Sequence, residues 1–229
     1  MNRKMSIALL TVLCYINVFS ACASCEDTLI KAVKQGDAQK VSKLIGNGVN
    51  LNCVDSSTGL TPLMIASSNG SKQVVETLIF NGAQPNLKVI EDKIGPGYYE
   101  GLTAIAFAVL GKHEEIALYL LNHGAKFEFK DSDGATVLMG AARVNMRELT
   151  LALLEKGIDV NEEAKNGYTA LTIAVQFGNA EIVRLLMKYG ANCHIRILEG
   201  ENKGLTAIDL AKSLKDDEIL RLLLNKRGR

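Results

Sequence analysis

Apolar and polar residues along this chain recur in a two-part pattern. After a Thr comes a short run with apolar residues three apart: Leu63 and Ala66, Ile105 and Ala108, Leu138 and Ala141, Leu171 and Ala174, Ile208 and Ala211. Residues three apart share one face of an α-helix, and an Ala on that face lets a second helix approach closely. Further on, a second apolar run carries Leu78 and Ile79, Leu120 and Leu121, Leu153 and Leu154, Leu185 and Leu186, or Leu223 and Leu224. Gly82, Gly124, Gly157 and Gly190 follow the first four of these runs, and a glycine in left-handed conformation ends a helix at little steric cost. The pattern predicts a first helix opening at each Thr, whose hydroxyl caps an orphan N–H, with Pro62 at the tolerated first helical position. It predicts a second helix closing at each glycine.

The pattern repeats with a period of 33. Gly-x-Thr recurs at Gly59, Gly101, Gly134, Gly167 and Gly204, at intervals of 42, 33, 33 and 37, so two units carry insertions of 9 and 4 residues. The strings after each glycine turn are TPLMIA, TAIAFA, TVLMGA, TALTIA and TAIDLA. Residues 27–52 repeat the helical half without the Gly-x-Thr opening and read as an N-terminal capping unit. One unit alone exposes its apolar face, whereas stacked units share a continuous core.

These strings resemble the ankyrin repeat family over roughly residues 26 to 225. The resemblance implies an all-α solenoid of about six helix-turn-helix units with short β-turn fingers, at approximately 26–57, 58–100, 101–133, 134–166, 167–203 and 204–229. The slot that usually carries His after T-P-L holds Met64, Ala106, Met139, Thr172 and Asp209. By that resemblance, the bonds His makes between neighbouring repeats are missing, and the array is less stable than a consensus one. Asp209 at the last such slot looks like the closing repeats of bacterial members.

The N-terminus adds a second theme. MNRKM is followed by the apolar run SIALLTVLCYINVFS and the small residues ACASC, the order of a secretion signal. Residues 1–23 are therefore expected to be a signal and 24–229 the repeat domain. Two endings are open. Ala21 and Ala23 form an A-x-A site that leaves Ser24 first, while Phe19-Ser20-Ala21-Cys22 resembles a lipoprotein box that would acylate Cys22, with Phe where an aliphatic residue is usual. An uncleaved anchor is a third alternative, although the run barely reaches the roughly 20 apolar residues of a spanning helix. The expected location is exported, periplasmic or attached to a membrane by lipid, with release from the cell as the alternative.

Composition removes several function classes. The 26 Lys and Arg against 25 Asp and Glu give a formal charge of +1, without the concentrated positive charge that binds a phosphate backbone, so no nucleic-acid partner is expected. Aromatics make up 5% and Trp is absent, a poor match to a sugar-binding cleft. His113 and His123 beside Glu114 and Glu115 suggest a metal pair, but His113 falls in the interhelical loop and His123 precedes a terminating glycine, so no metal is expected. Cys53 and Cys193 are separated by four repeats, on the order of 30–40 Å at helix-layer spacing, against the ~7 Å a disulfide allows. Gly95, Gly97 and Gly101 miss the G-x-G-x-x-G spacing of a dinucleotide turn by one residue and read as a finger tip. No nucleophile has a base at a recognisable spacing, so neither an enzyme, a cofactor nor a small-molecule substrate is expected. The basic tail Lys226–Arg229 reads as a solvated helix end.

What remains is a surface for a protein partner. Both insertions lengthen fingers, at Leu87 to Glu100 and Ile195 to Lys203, and enlarge one edge without disturbing the stack. By the resemblance, the partner lies against the fingers and the exposed ends of the first helices, on the concave side. The partner-binding candidates are Tyr98, Tyr99, Glu100, Leu110, Asp133, Arg143, Val144, Lys165, Tyr168, Gln176 and Phe177, with Leu60 and Leu102 at the same finger slot. Tyr, Phe and Arg are common hot-spot side chains, and Tyr99, Arg143, Tyr168 and Phe177 are expected to form one patch. Two functions stay open: an exported module that holds another protein, and a secreted inhibitor or host-directed effector acting in trans through the same groove.

Overall fold

The structure is a computed structural model and describes residues 27–89, 99–128 and 130–225. Within them lie helices α1 (27–34), α2 (Ala38–Gly46), α3 (Pro62–Ser68), α4 (Lys72–Phe80), α5 (Ala104–Leu110) and α6 (Glu114–Asn122), then α7 (Val137–Arg143), α8 (Arg147–Glu155), α9 (Ala170–Gln176), α10 (Ala180–Lys188), α11 (Ala207–Leu214) and α12 (Asp217–Leu224). They pair as six hairpins. From α3 onward each odd-numbered helix packs on the next odd-numbered one, and the even-numbered helices likewise from α2, so two rows of helices lie side by side. The apolar residues of both rows form one continuous cluster from Leu29 to Leu223. This is the stacked, all-α arrangement that the 33-residue period predicts.

Local chemistry explains the helix starts. The hydroxyls of Thr61, Thr136, Thr169 and Thr206 each accept the N–H three residues on, and Pro62 occupies the first turn of α3. At three of these four caps the side chain at the variable slot closes the cap from the other side: Met64 Sδ accepts the Thr61 N–H, Thr172 Oγ1 the Thr169 N–H, and Asp209 Oδ2 both the N–H and the hydroxyl of Thr206. Hydrogen bonds from Thr206 hold the Asp209 carboxyl below its ordinary pKa. Ala106 has no atom to give, and Thr103 makes no such cap; its hydroxyl is buried without a hydrogen-bond partner. On the last helix Leu223 is buried, while Leu224 is 57% exposed.

Every finger is closed by the same pair of backbone bonds. Asp55 N–H donates to Leu60 O and Gly59 N–H to Asp55 O, and the same pairing recurs for Val89, Leu102 and Gly101, for Asp131, Ala135 and Gly134, for Ala164, Tyr168 and Gly167, and for Ile197, Leu205 and Gly204. The glycine of each pair has φ between 77° and 83°, a region that strains residues bearing a Cβ. In sequence, both insertions fall between the residues that make this closure, and the pair of bonds is the same with or without them.

Side chains at the slot that usually carries His bond within their own units, and bonds between neighbouring units come from other slots. Asn52 Oδ1 accepts Gln84 N–H, Asn86 bridges to Lys126 N–H and Gly124 O, and Asn161 to Asn192 N–H and Gly190 O. At the interhelical turns, Asn179 Nδ2 donates to Ala142 O at 2.7 Å. His113 Nε2 lies 3.1 Å from Ser68 O, a bond that places the proton on Nε2. The junction of the third and fourth units lacks both devices, because Glu128 stands in the Asn slot and Met146 in the turn slot. Glu114, accepting Leu149 N–H, and a Lys130–Glu162 ion pair bridge it instead.

Candidate protein-binding face

The predicted site residues separate into two rows. Leu110, Arg143, Val144, Gln176 and Phe177 lie at the C-terminal ends of α5, α7 and α9, far along each first helix from the fingers. Arg143, Gln176 and Glu100 are exposed, Val144 is half-buried, and Leu110 and Phe177 remain 52% and 49% exposed despite their size. The Arg143 guanidinium lies 5.4 Å from the Phe177 ring centroid, a cation–π contact between neighbouring units.

Tyr99, Glu100, Asp133, Lys165 and Tyr168 form the finger row. The exposed backbone there is stitched from one finger to the next: Lys165 N–H donates to Asp133 O at 2.9 Å, and Leu198 N–H to Asn166 O at 2.9 Å. A Cβ on Gly167 would lie 2.6 Å from the Leu198 nitrogen, so this close approach needs glycine. The second inserted finger therefore packs on the fourth unit's finger.

Some finger side chains have structural work that the sequence reading assigned to a partner. The Tyr168 hydroxyl accepts a hydrogen bond from Asn202 Nδ2 at 3.0 Å, tying the unit to the inserted finger. Tyr99 is half-buried, its ring stacked at 5.6 Å on the buried Phe107. Leu60 and Leu102 are each 6% exposed and belong to the core, because the residue between Gly and Thr points under the finger. Arg143 and Phe177 meet; Tyr99 and Tyr168 anchor fingers. Tyr98 and Cys22 lie outside the described residues, as do the signal region and the basic tail.

Other candidates resolve simply. His123 Nδ1 bonds Tyr119 O at 2.7 Å, a local cap, and no group of three or more metal-ligating side chains occurs among the described residues. Cys53 is buried, Cys193 half-buried, and they are not joined to each other. Outside the predicted residues, Leu198 and Leu214 are also exposed on this face, and Phe80 is 88% exposed at the end of α4. Leu214 was recoverable, since it occupies the slot of Phe177.

The family model described as ankyrin repeats (3 copies) matches residues 7–89, 88–164 and 138–229. A fowlpox virus ankyrin repeat protein, FPV031, is 30% identical over 198 residues, 86% of this chain and 46% of that protein. The Saccharomyces cerevisiae "Probable 26S proteasome regulatory subunit p28" is 31% identical over 77% of this chain and 72% of its own length. The chain thus spans less than half of the fowlpox relative. Among solved structures, a chain from the complex of the predatory endopeptidase Bd0816 of Bdellovibrio bacteriovorus with immunity protein Bd3460 superposes with a TM-score of 0.73 at 30% identity. The match covers 87% of this chain and 98% of that one.

Proposed function

This chain belongs to the ankyrin repeat family, whose repeats are protein–protein interaction modules, and on that premise we propose that it is an exported binding module docking a protein partner along its fingers and first-helix ends. The observation that carries the docking face is the Arg143–Phe177 contact, flanked by exposed Leu110, on slots where the fold itself demands no large side chain. The basic, apolar and small-residue order of residues 1–23 supports export. Mass spectrometry of the native protein tests that part: a start at lipid-bearing Cys22 or at Ser24 supports it, and a chain beginning at Met1 overturns it. For docking, Arg143→Ala with Phe177→Ala weakens capture of the partner by more than about 2 kcal/mol, the hot-spot threshold, while Arg184→Ala with Lys188→Ala on the outer helices changes it little. The reverse ranking moves the site to the outer helices.

One observation favours a second reading, an inhibitor acting in trans. The matched chain comes from an endopeptidase–immunity protein complex and is covered over 98% of its length. Inhibition of a purified peptidase by the chain supports this reading; a resident partner without peptidase activity favours the first.

A further inference from the structure

Charge is sorted between the two rows of helices. The last turn of each first helix and the turn after it read KAVKQG, IASSNG, FAVLGK, GAARVN, IAVQFG and LAKSLK, at residues 31–36, 65–70, 107–112, 140–145, 173–178 and 210–215. These six stretches contain Lys31, Lys34, Lys112, Arg143, Lys212 and Lys215, all exposed, and no Asp or Glu. The second helices, by contrast, mix Glu76, Glu115, Glu148, Glu155, Glu181 and Glu218 with their Lys and Arg.

Lys34 is paired with Asp55 at 2.7 Å, and Lys212 interacts through space with Asp209 one turn back on α11; none of the five cations other than Lys34 makes an ion pair among the described residues. Six helix C-termini contribute about −0.5 each, about −3 together, so five unpaired cations leave the row positive. Between the cations stand Leu110, Phe177 and Leu214, each about half exposed, on three of the last four units. Stacked helices repeat every 8–10 Å or so, which spaces the apolar anchors at one or two such steps.

From this juxtaposition we infer that the partner presents an acidic segment carrying large apolar side chains, which lies along the C-terminal ends of α5, α7, α9 and α11. The inference rests on the docking reading above and adds the chemistry of the docked segment. Carboxylates of the segment meet Lys112, Arg143, Lys212 and Lys215, and its apolar side chains cover Leu110, Phe177 and Leu214. A nucleic acid would meet the cations but leave those three side chains uncovered, so the row fits a protein better. Opposite charge steers encounter, and the apolar anchors hold the complex.

A phage-displayed library of random peptides, selected on the full chain, tests it. The expected winners have net negative charge and at least two large apolar residues, and their binding weakens as salt rises. Binding of a winning peptide falls at least about tenfold in the K112E/R143E/K215E variant, less in K112Q/R143Q/K215Q, and stays unchanged in R184E/K188E, with far-ultraviolet circular dichroism showing the fold intact. Selection of neutral or basic peptides that still lose binding in the triple variant overturns the acidic partner and leaves the docking face standing. Acidic winners that bind the triple variant normally but fail on R184E/K188E overturn the docking face itself. Selection of no acidic peptide overturns the inference.

Discussion

Asn86→Ala removes the best-formed side-chain bridge between two units. Its Oδ1 accepts the Lys126 N–H at 2.7 Å, and its Nδ2 donates to Gly124 O at 2.9 Å. Both partners sit near solvent, so water takes their place when the amide is gone, and each bond is worth the low part of the usual net range, about 0.5–1 kcal/mol. The loss is therefore about 1–2 kcal/mol, concentrated at the junction of the second and third units because repeats couple only to their neighbours. Asn161→Ala costs less, since its bond to Gly190 O is stretched to 3.4 Å. Glu128→Asn runs the argument in reverse: it puts the amide where the series is broken, and adds about 0.5–1 kcal/mol. Urea titration followed by circular dichroism at constant slope measures all three. An Asn86→Ala variant within a few tenths of a kcal/mol of the parent, or a Glu128→Asn variant less stable than it, refutes the claim that these amides hold neighbouring units together.

Other expectations follow from single sites. Burial pushes the Asp55 carboxyl up, but bonds from Lys34, Thr58 and Ser57 outweigh it and bring its pKa from 3.8 to about 2. Its contribution of about 2 kcal/mol is therefore present above pH 4 and lost as pH falls toward 2; Asp55→Asn flattens that part of the stability–pH profile, and an unchanged profile contradicts it. Lys112 has φ 61° where other units place Gly36, Gly70 or Gly178. Lys112→Gly raises stability by up to about 1 kcal/mol, and Asn145→Gly, which replaces a residue tolerant of that region, changes it by a few tenths; equal effects at both sites refute the strain argument. Leu171→Ala, at a fully buried position, costs about 2–5 kcal/mol by denaturant titration, against less than about 0.5 for Glu155→Ala on the surface.

The repeat was legible because packing imposes it at short range. Thr caps, Ala three residues past the first apolar position and terminating glycines all act within one helix or one turn, so they leave a period in the string itself. Side chains whose partners lie a unit away were harder. Nothing local distinguishes Tyr168, bonded to Asn202 34 residues on, from an exposed hot-spot tyrosine, and nothing in Gly-Leu-Thr says that Leu60 and Leu102 turn under the finger. The bridging asparagines could have been found. Asn52, Asn86 and Asn161 each stand four residues past a helix-ending glycine, a regularity that only matters once the next unit's N–H is seen opposite. The break at Glu128 is visible by the same count.

Hydrogen exchange of the chain, alone and bound to its captured partner, tests the docking face most directly. The account predicts slowed exchange in the fingers near 99–103, 131–136 and 164–169 and at the helix ends near 109–112, 142–145 and 175–178. It predicts little change in the exposed backbone at the starts of α6, α8 and α10. Protection confined to those second helices, with fingers and first-helix ends exchanging as freely as in the unbound chain, would contradict it.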